Sequence, residues 1–455
     1  MKNGKRSSFS GKLGYVLAAA GASVGLGNIW RFPYLAAKYG GGIFLIIYIV
    51  LALTFGYTMI VAETAIGRMT RKSPVGAFKS FGKKKWLSFG GWINAVIPVL
   101  IVPYYSVIGG WVIKYLVEYF RGNAKQLAED GYFTDFISNG VSTELCFMAF
   151  CAFTLIIIFA GVQNGIERVS KIMMPILIVL SVIIAVYSVT RPGALAGVKY
   201  FLVPNVKNFS WMTVVSAMGQ MFYSLSIAMG ILITFGSYMK KDTAIEDSTR
   251  NVEVFDTGIA IMAGLMIIPA VFAFSGGDPD TLQAGPSLMF ITIPKVFQNM
   301  GFGTVIGIVF FLLVLFAAVT SSIALTESAV STFEDELGWG RKKATVLVGV
   351  IMLALGSLSS LGYGPLAGIK IIGMQFLDLF DFLTNSVMMP IAALLTSLFV
   401  SRVVGIDKIE AEIIHGESAF RRKKVFVVMI KYLCPVFAII ILLSSVANAL
   451  GWIKM

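Results

Sequence analysis

The run Gly21-Ala22-Ser23-Val24-Gly25-Leu26-Gly27-Asn28-Ile29-Trp30-Arg31-Phe32-Pro33-Tyr34 sits inside the first long apolar segment, 11–37, and decides the fold. Glycines, a serine and an asparagine fall where a membrane helix would carry leucine or valine. Glycine weakens a helix, and a freed backbone group in hydrocarbon is costly. Close helix packing by small residues explains the run taken alone. A second interruption, Ser224-Leu225-Ser226-Ile227-Ala228-Met229-Gly230, shifts the balance. It lies in the sixth apolar segment, 212–239. The two positions correspond if segments one to five and six to ten are two repeats. Paired interrupted helices in two halves point to the central site of a transporter. There, half-helix N-termini offer N–H groups to a carboxylate, and loose carbonyls suit Na⁺ or an amine. An amino-acid zwitterion fits both ends.

Composition agrees. Of 455 residues, 57% are hydrophobic and 13% charged, and the mean hydropathy is +0.83. A soluble chain carries about a quarter charged residues, so a water-soluble enzyme and a disordered chain are both excluded. The three cysteines, Cys146, Cys151 and Cys434, lie in apolar runs, and the single histidine, His415, lies in a charged loop. Neither pattern suits a disulfide framework, a transition-metal site or His-based catalysis. The net charge of +13 fits cytoplasmic loops better than nucleic-acid binding.

The fold expected is an all-α polytopic membrane protein with eleven spans. They fall near 11–37, 41–69, 87–120, 142–160, 168–189, 212–239, 251–273, 301–333, 343–359, 374–401 and 427–452. Segments 123–138 and 281–299 read as short caps outside the membrane. The basic start, Lys2, Lys5 and Arg6, resembles a signal-peptide n-region, but no cleavage site follows and helix 1 is kept. Lys and Arg crowd the N-terminus, the loop after helix 2 (Arg68 to Lys85), and the loops at Arg341–Lys343 and Arg421–Lys424. All fall on one side if the N-terminus is cytoplasmic, which puts the C-terminus, Lys454-Met455, outside. The organisation expected is a cytoplasmic gate segment 1–10, a first repeat 11–190, a second repeat 212–401, and helix 11 at 427–452.

With these residues in view, the chain resembles the neurotransmitter:sodium symporter family, in its eleven-helix bacterial amino-acid branch. The helix 1 run is the most specific match. Others are Gly40-Gly41-Gly42 with Phe44, Glu63 through Gly67-Arg68, Tyr104-Tyr105, Gln220 through Gly230, Thr320-Ser321-Ser322-Ile323-Ala324, and Phe333-Glu334-Asp335-Glu336-Leu337. The resemblance covers essentially the whole chain. It implies a 5+5 inverted-repeat fold with helices 1 and 6 broken, and Na⁺-coupled uptake of neutral, mainly hydrophobic amino acids by alternating access. The expected location is a bacterial inner membrane.

It also implies roles for residues. A first sodium site would use the Ser23 carbonyl, Asn28, Ser224 and Asp256, completed by the substrate carboxylate. A second would use carbonyls of Gly21, Val24 and Ala317 with the hydroxyls of Thr320 and Ser321. These are hard oxygen donors, as a small hard cation requires. Substrate would meet Ser23, the N–H groups of Leu26 and Gly27, and the Tyr105 hydroxyl. Its side chain would lie among Ile101, Tyr105, Tyr223, Ser226, Met229, Ser322 and Leu325. That lining carries no charge. Arg31 and Asp381 would pair as an outer gate, with Asp378 a competitor for the acid. Arg6 and Asp335, beside Phe9 and Tyr238, would form the inner gate. Gly165 and Pro175, with nine residues between them, would let the start of helix 5 unwind, since one weakens a helix and the other lacks an N–H.

The sequence departs from its relatives at two places. Asp256 stands where many have Asn; it caps or snorkels, or, as the resemblance implies, it would supply a fixed negative charge in place of chloride. Ala228 stands where relatives taking bulky side chains often have Gly, and its methyl should favour small or medium aliphatic amino acids over Trp. The uncharged Ala22 region argues against biogenic amines. Rival functions fit less well. A channel would need a continuous polar pore. A membrane hydrolase would need a base, and Glu63 and Glu327 are the other notable mid-membrane acids. A non-transporting sensor on the same fold would share every binding residue.

Overall fold

The computed structural model describes residues 6–276 and 285–449. Its framework is helical throughout, with isolated bridges at Gly41–Pro204 and Ile371–Met374 as the extended pairings among the described residues. Nine described helices are individually long and apolar enough to cross a membrane. They are α2 (Gly42–Thr70), α3 (Lys85–Phe120), α4 (Gly140–Phe159), α5 (Val162–Val189), α7 (Ile245–Ser275), α8 (Gly303–Leu337), α9 (Arg341–Leu361), α10 (Phe376–Val404) and α11 (Lys423–Asn448). Two more are interrupted. The first, α1, comprises Lys12–Ser23 and Gly27–Lys38, bent by 53°. The second, α6, comprises Trp211–Ser224 and Ile231–Tyr238, each half too short to cross alone. By length and composition the described residues hold nine spans, ten with the bent α1 pair, and the α6 pair taken as one makes up the eleven expected.

Both interrupted helices are central. The first half of α1 packs on α5, α7 and α8, and the second half of α6 packs on α2. The longest contact runs between α3 and α8. Aliphatic side chains on α4, α5, α9 and α11 face outward, such as Ile156, Val186, Val350 and Leu443. An apolar outer surface around a core containing 0%-exposed Asn28, Glu63 and Asp256 is the arrangement a bilayer demands, since polar groups must find partners inside.

Several boundaries moved. α5 begins at Val162 rather than 168, because a π-type turn over Val162–Glu167 precedes the regular helix. α7 begins at Ile245, six residues early, with Glu246 and Asp247 in its first turn. There acids complement the helix dipole. Helices at Pro74–Lys79, Ala194–Leu202 and Ile406–Ile413 were not anticipated, being short and of mixed polarity. The cap expected at 123–138 is two short helices, Ala124–Leu127 and Tyr132–Ser138. Of the cap at 281–299, the described part is helical over Leu288–Gln298. Residues 281–284, the basic start Lys2 and Lys5, and the terminus Lys454-Met455 lie outside the described residues.

Candidate substrate and sodium sites

The two breaks meet and brace each other. Beyond Ser23, Val24 takes an extended conformation. In the α6 break, Ser226, Ala228 and Gly230 all have positive φ, 52°, 58° and 69°. Left-handed backbone costs a non-glycine residue about 1–2 kcal/mol, so something must hold this turn. Ser226 Oγ donates to the Ala22 carbonyl at 2.9 Å, and Gln220 Nε2 donates to the Gly27 carbonyl at 3.0 Å. The buried Glu63 carboxylate accepts the Ala228 N–H at 2.7 Å. Gly27 itself packs against the Tyr223 ring so closely that a Cβ there would lie 2.3 Å from ring carbons.

Around Asp256 two of the side chains named for the first sodium site, Asn28 and Ser224, come together. Asn28 Nδ2 donates to Asp256 Oδ1 at 2.8 Å, and Ser224 Oγ donates to the same carboxylate at 2.9 and 3.0 Å. Asn28 Oδ1 accepts the Gly25 N–H at 3.3 Å. The Ser23 hydroxyl turns to the Ala19 and Leu225 carbonyls, 3.2 and 3.4 Å away. Tyr48 was not anticipated. Its hydroxyl donates to Asp256 Oδ2 at 2.9 Å and lies 3.1 Å from Ser224 Oγ. A lone tyrosine in an apolar stretch gives no sequence signal of such a role.

The second oxygen cluster is equally compact. Ser321 Oγ lies 3.2, 3.2 and 3.4 Å from the carbonyls of Gly21, Ala22 and Val24. Thr320 Oγ1 donates to the carbonyls of Phe316 and Ala317 at 3.0 and 3.2 Å. Every residue named for this site is therefore in one place, where α1 meets α8.

Between the clusters lies a small cavity of about 30 Å³. It is lined by Ser23, Leu26, Gly27, Ile101, Tyr105, Tyr223, Ser226, Met229 and Leu325, with Ala22, Gly25, Asn28 and Ser321. None of these is charged. The Leu26 N–H donates to the Tyr105 hydroxyl at 3.3 Å, so the two groups expected to share a carboxylate satisfy each other. A space this small holds one or two waters. Admitting an amino acid requires Tyr223, Met229 or Leu325 to move.

Two expected wall residues lie elsewhere. Ser322 faces α4, its hydroxyl 3.1 Å from Thr154 Oγ1. Adjacent helix positions point about 100° apart, and here Ser321 takes the cavity face while Ser322 takes the α4 face. Ala228 is also absent from the lining. Glu63 holds its backbone N–H, and nothing in the structure supports the size argument built on its methyl.

The two ends of the bundle differ. At one, Arg6 pairs with Asp335 at 2.5 Å and donates to Ser237 and Ser331. The Ser73 N–H holds the other Asp335 oxygen at 2.6 Å. Arg6 lies over the Tyr238 ring, and Phe9 packs edge-on against Tyr15, Phe235 and Tyr238. Behind them Tyr238 donates to Glu327 at 2.7 Å, and Arg341 grips the same carboxylate at 2.6 and 3.0 Å. This second pair was also missed, because Arg341 read as one more basic loop residue. At the other end a cavity of about 450 Å³ has Arg31, Tyr104, Tyr223, Asp378 and Asp381 in its walls. Among the described residues no ion pair within 4.0 Å joins Arg31 to Asp381. Arg31 instead lies over the Tyr223 ring at 5.1 Å, while Asp381 accepts Tyr104 and Asn385 at 3.2 and 2.6 Å. Asp378 accepts Tyr363 at 3.2 Å. Among the described residues, one end is closed by the Arg6 contacts and the other holds a cavity that reaches down to Tyr223.

A membrane bundle with two broken helices at its centre and oxygen clusters at the breaks has the form of an ion-coupled transporter. The sequence profile of the Sodium:neurotransmitter symporter family matches residues 6–130 and 118–452. YhdH, an uncharacterised sodium-dependent transporter of Bacillus subtilis (strain 168), is 34% identical over 450 residues, 98% of this chain and 99% of its own. A second such transporter, from Haemophilus influenzae, is 31% identical over 460 residues, 97% of this chain and 99% of its own. The crystal structure of MhsT in complex with L-phenylalanine matches with a TM-score of 0.86 at 35% identity, over 97% of this chain and 100% of MhsT. The chain belongs to the Sodium:neurotransmitter symporter family. It is a multi-pass, sodium-dependent transporter of a small molecule, not an enzyme, and it shares the fold of MhsT.

Proposed function

We propose that the chain couples inward Na⁺ movement to uptake of neutral, mainly hydrophobic L-amino acids. The single observation that carries this is the central cavity, whose rim offers Leu26, Gly27 and Tyr105 and whose walls are Ile101, Met229 and Leu325. A zwitterion's charged end suits the former and an aliphatic or aromatic side chain the latter. MhsT, solved with L-phenylalanine, supports the substrate class.

Two sodium ions bind, one at Ser23, Asn28, Ser224 and Asp256, the other at Gly21, Val24, Ala317, Thr320 and Ser321. The substrate carboxylate joins the first, which links the two equilibria. Asp256 supplies the negative charge there, so transport needs no chloride. Residues 11–190 and 212–401 act as two repeats rocking about the site, and 427–452 adds the eleventh helix. Arg6 and Asp335 close the cytoplasmic end, Arg31 and Asp381 the outer end. The chain lies in a bacterial inner membrane with its C-terminus outside, and the basic loops support a cytoplasmic N-terminus. Counterflow of labelled L-leucine or L-phenylalanine in proteoliposomes tests the proposal. Na⁺-dependent exchange is expected, and binding without exchange would mark a sensor instead.

A further inference from the structure

Glu167 is 2% exposed and ends the π-type turn that opens α5. Its carboxylate is gripped by the strap that precedes α1. Ser10 N–H donates to Oε2 at 2.8 Å, and Ser10 Oγ donates to Oε1. Lys171, one turn along α5, pairs with Oε1 at 2.6 Å and reaches Ser10 Oγ at 3.2 Å. Gln163, in the same turn, donates to the Ser8 carbonyl at 2.7 Å. From the other side α1 closes in at Gly14, where a Cβ would fall 2.3 Å from Glu167 Oε1. The strap so held also carries Arg6 and Phe9, and Phe9 N–H donates to the Tyr238 carbonyl at 3.0 Å.

The same face of α5 continues inward. Ser170, Met174 and Leu177 follow Glu167 at helical spacing and are all buried. A Cβ added at Gly21 would lie 3.5 Å from Met174 Sδ and 3.1 Å from Thr320 Cβ, so this face ends beside the Thr320–Ser321 oxygen cluster. A cavity of about 340 Å³ lies against the outer side of the clasp, lined by Ser10, Gln163, Glu167, Arg168, Lys171 and Ile172. Water there can take over the carboxylate's hydrogen bonds once the strap lifts.

We infer that Glu167 is a positioning residue that fastens the gate strap to the first turn of α5, so that the gate lifts and that turn loosens as one event. The inference rests on the alternating-access reading and adds a residue to it. It makes loss of the ion beside Thr320 and opening of the Arg6 gate two ends of one motion, transmitted by a short helix segment.

Hydrogen–deuterium exchange on the full chain, with and without Na⁺, tests it in peptides covering 8–14 and 162–170. Glu167→Ala should speed exchange in both segments together by at least about tenfold, leaving the α3–α8 contact protected. It should also raise the Na⁺ midpoint for amino-acid binding about three- to tenfold, by populating the inward-open state. Gly14→Ala pushes the carboxylate out from the opposite side and should do the same. The double variant should add little to either, as expected for two lesions in one contact. Glu167→Gln, which keeps the acceptor for Ser10 and loses the charge for Lys171, should fall between. Faster exchange in only one segment, or a lower melting temperature with an unchanged Na⁺ midpoint, would overturn the inference. Failure of the functional reading shows separately, as wild-type binding that ignores Na⁺.

Discussion

Asn28 donates from Nδ2 to Asp256 Oδ1 over 2.8 Å, tying the loosened turn of α1 to the middle of α7. Ser224 and Tyr48 hold the same carboxylate, so three helices besides its own point polar hydrogens at one fully buried acid. Buried acids persist where they are hydrogen-bonded or balance a cation. Asp256 has both reasons if a sodium ion sits among these oxygens.

Asp256→Asn keeps the shape and removes the charge. Transport by this variant should be lost in chloride-free buffer and partly restored by chloride. The wild type should run equally well in chloride and gluconate. Strong chloride stimulation of the wild type would refute the fixed-charge account.

Tyr105→Phe removes one hydroxyl from the carboxylate end of the cavity. A hydrogen bond to a charged group contributes about 1.5–3 kcal/mol, so amino-acid affinity should fall about tenfold to a hundredfold while Na⁺ dependence persists. Competition binding reads both quantities.

Amino acids with charged side chains should not compete. The cavity walls contain no charged residue, and an unpaired buried charge costs at least several kcal/mol. Displacement of labelled substrate by Asp, Glu, Lys or Arg near the concentrations at which Leu or Phe saturate would contradict this.

Ala228→Gly should stabilise the protein and leave its substrate ranking alone. Ala228 holds φ at 58°, which glycine tolerates at a saving of about 1–2 kcal/mol, less part of that for added freedom in the unfolded chain. A thermal-shift series with Ala, Leu, Tyr and Trp separates the effects. A changed ranking would restore the methyl to the pocket wall.

The breaks in α1 and α6 were legible in sequence because two runs of small and polar residues fall at corresponding positions in two halves of the chain. The oxygen clusters followed once the resemblance was seen, and the structure brings Asn28, Ser224 and Asp256 together and Ser321 against Gly21 and Val24. What stayed hidden was direction and partnership. Ser321 and Ser322 are adjacent letters, and only the helix phase sends one to the cavity and the other to Thr154. Tyr48 and Glu167 each contact residues far away in the chain, Arg341 reaches both the nearby Glu327 and the distant Ile158 carbonyl, and nothing local marks them. Helix ends such as the start of α5 moved because a π-type turn has no composition of its own.

The closed Arg6–Asp335 end and the cavity at the Arg31–Asp381 end fix what gate variants should do. Asp335→Asn leaves Arg6 without its ionic partner at a partly exposed site. The inward-open population should rise, and apparent affinity should fall in proportion to the competent fraction lost. A cysteine-accessibility assay at the strap should show faster labelling; unchanged labelling would remove Asp335 from the gate.

The central claim is that sodium and a hydrophobic amino acid bind as one linked event at the junction of α1, α6 and α8. Scintillation-proximity binding of labelled L-leucine and L-phenylalanine to the purified chain, in sodium and then in potassium buffer, tests it most directly. Saturable binding in sodium that vanishes in potassium is the predicted result, and equal affinity in the two buffers would contradict it.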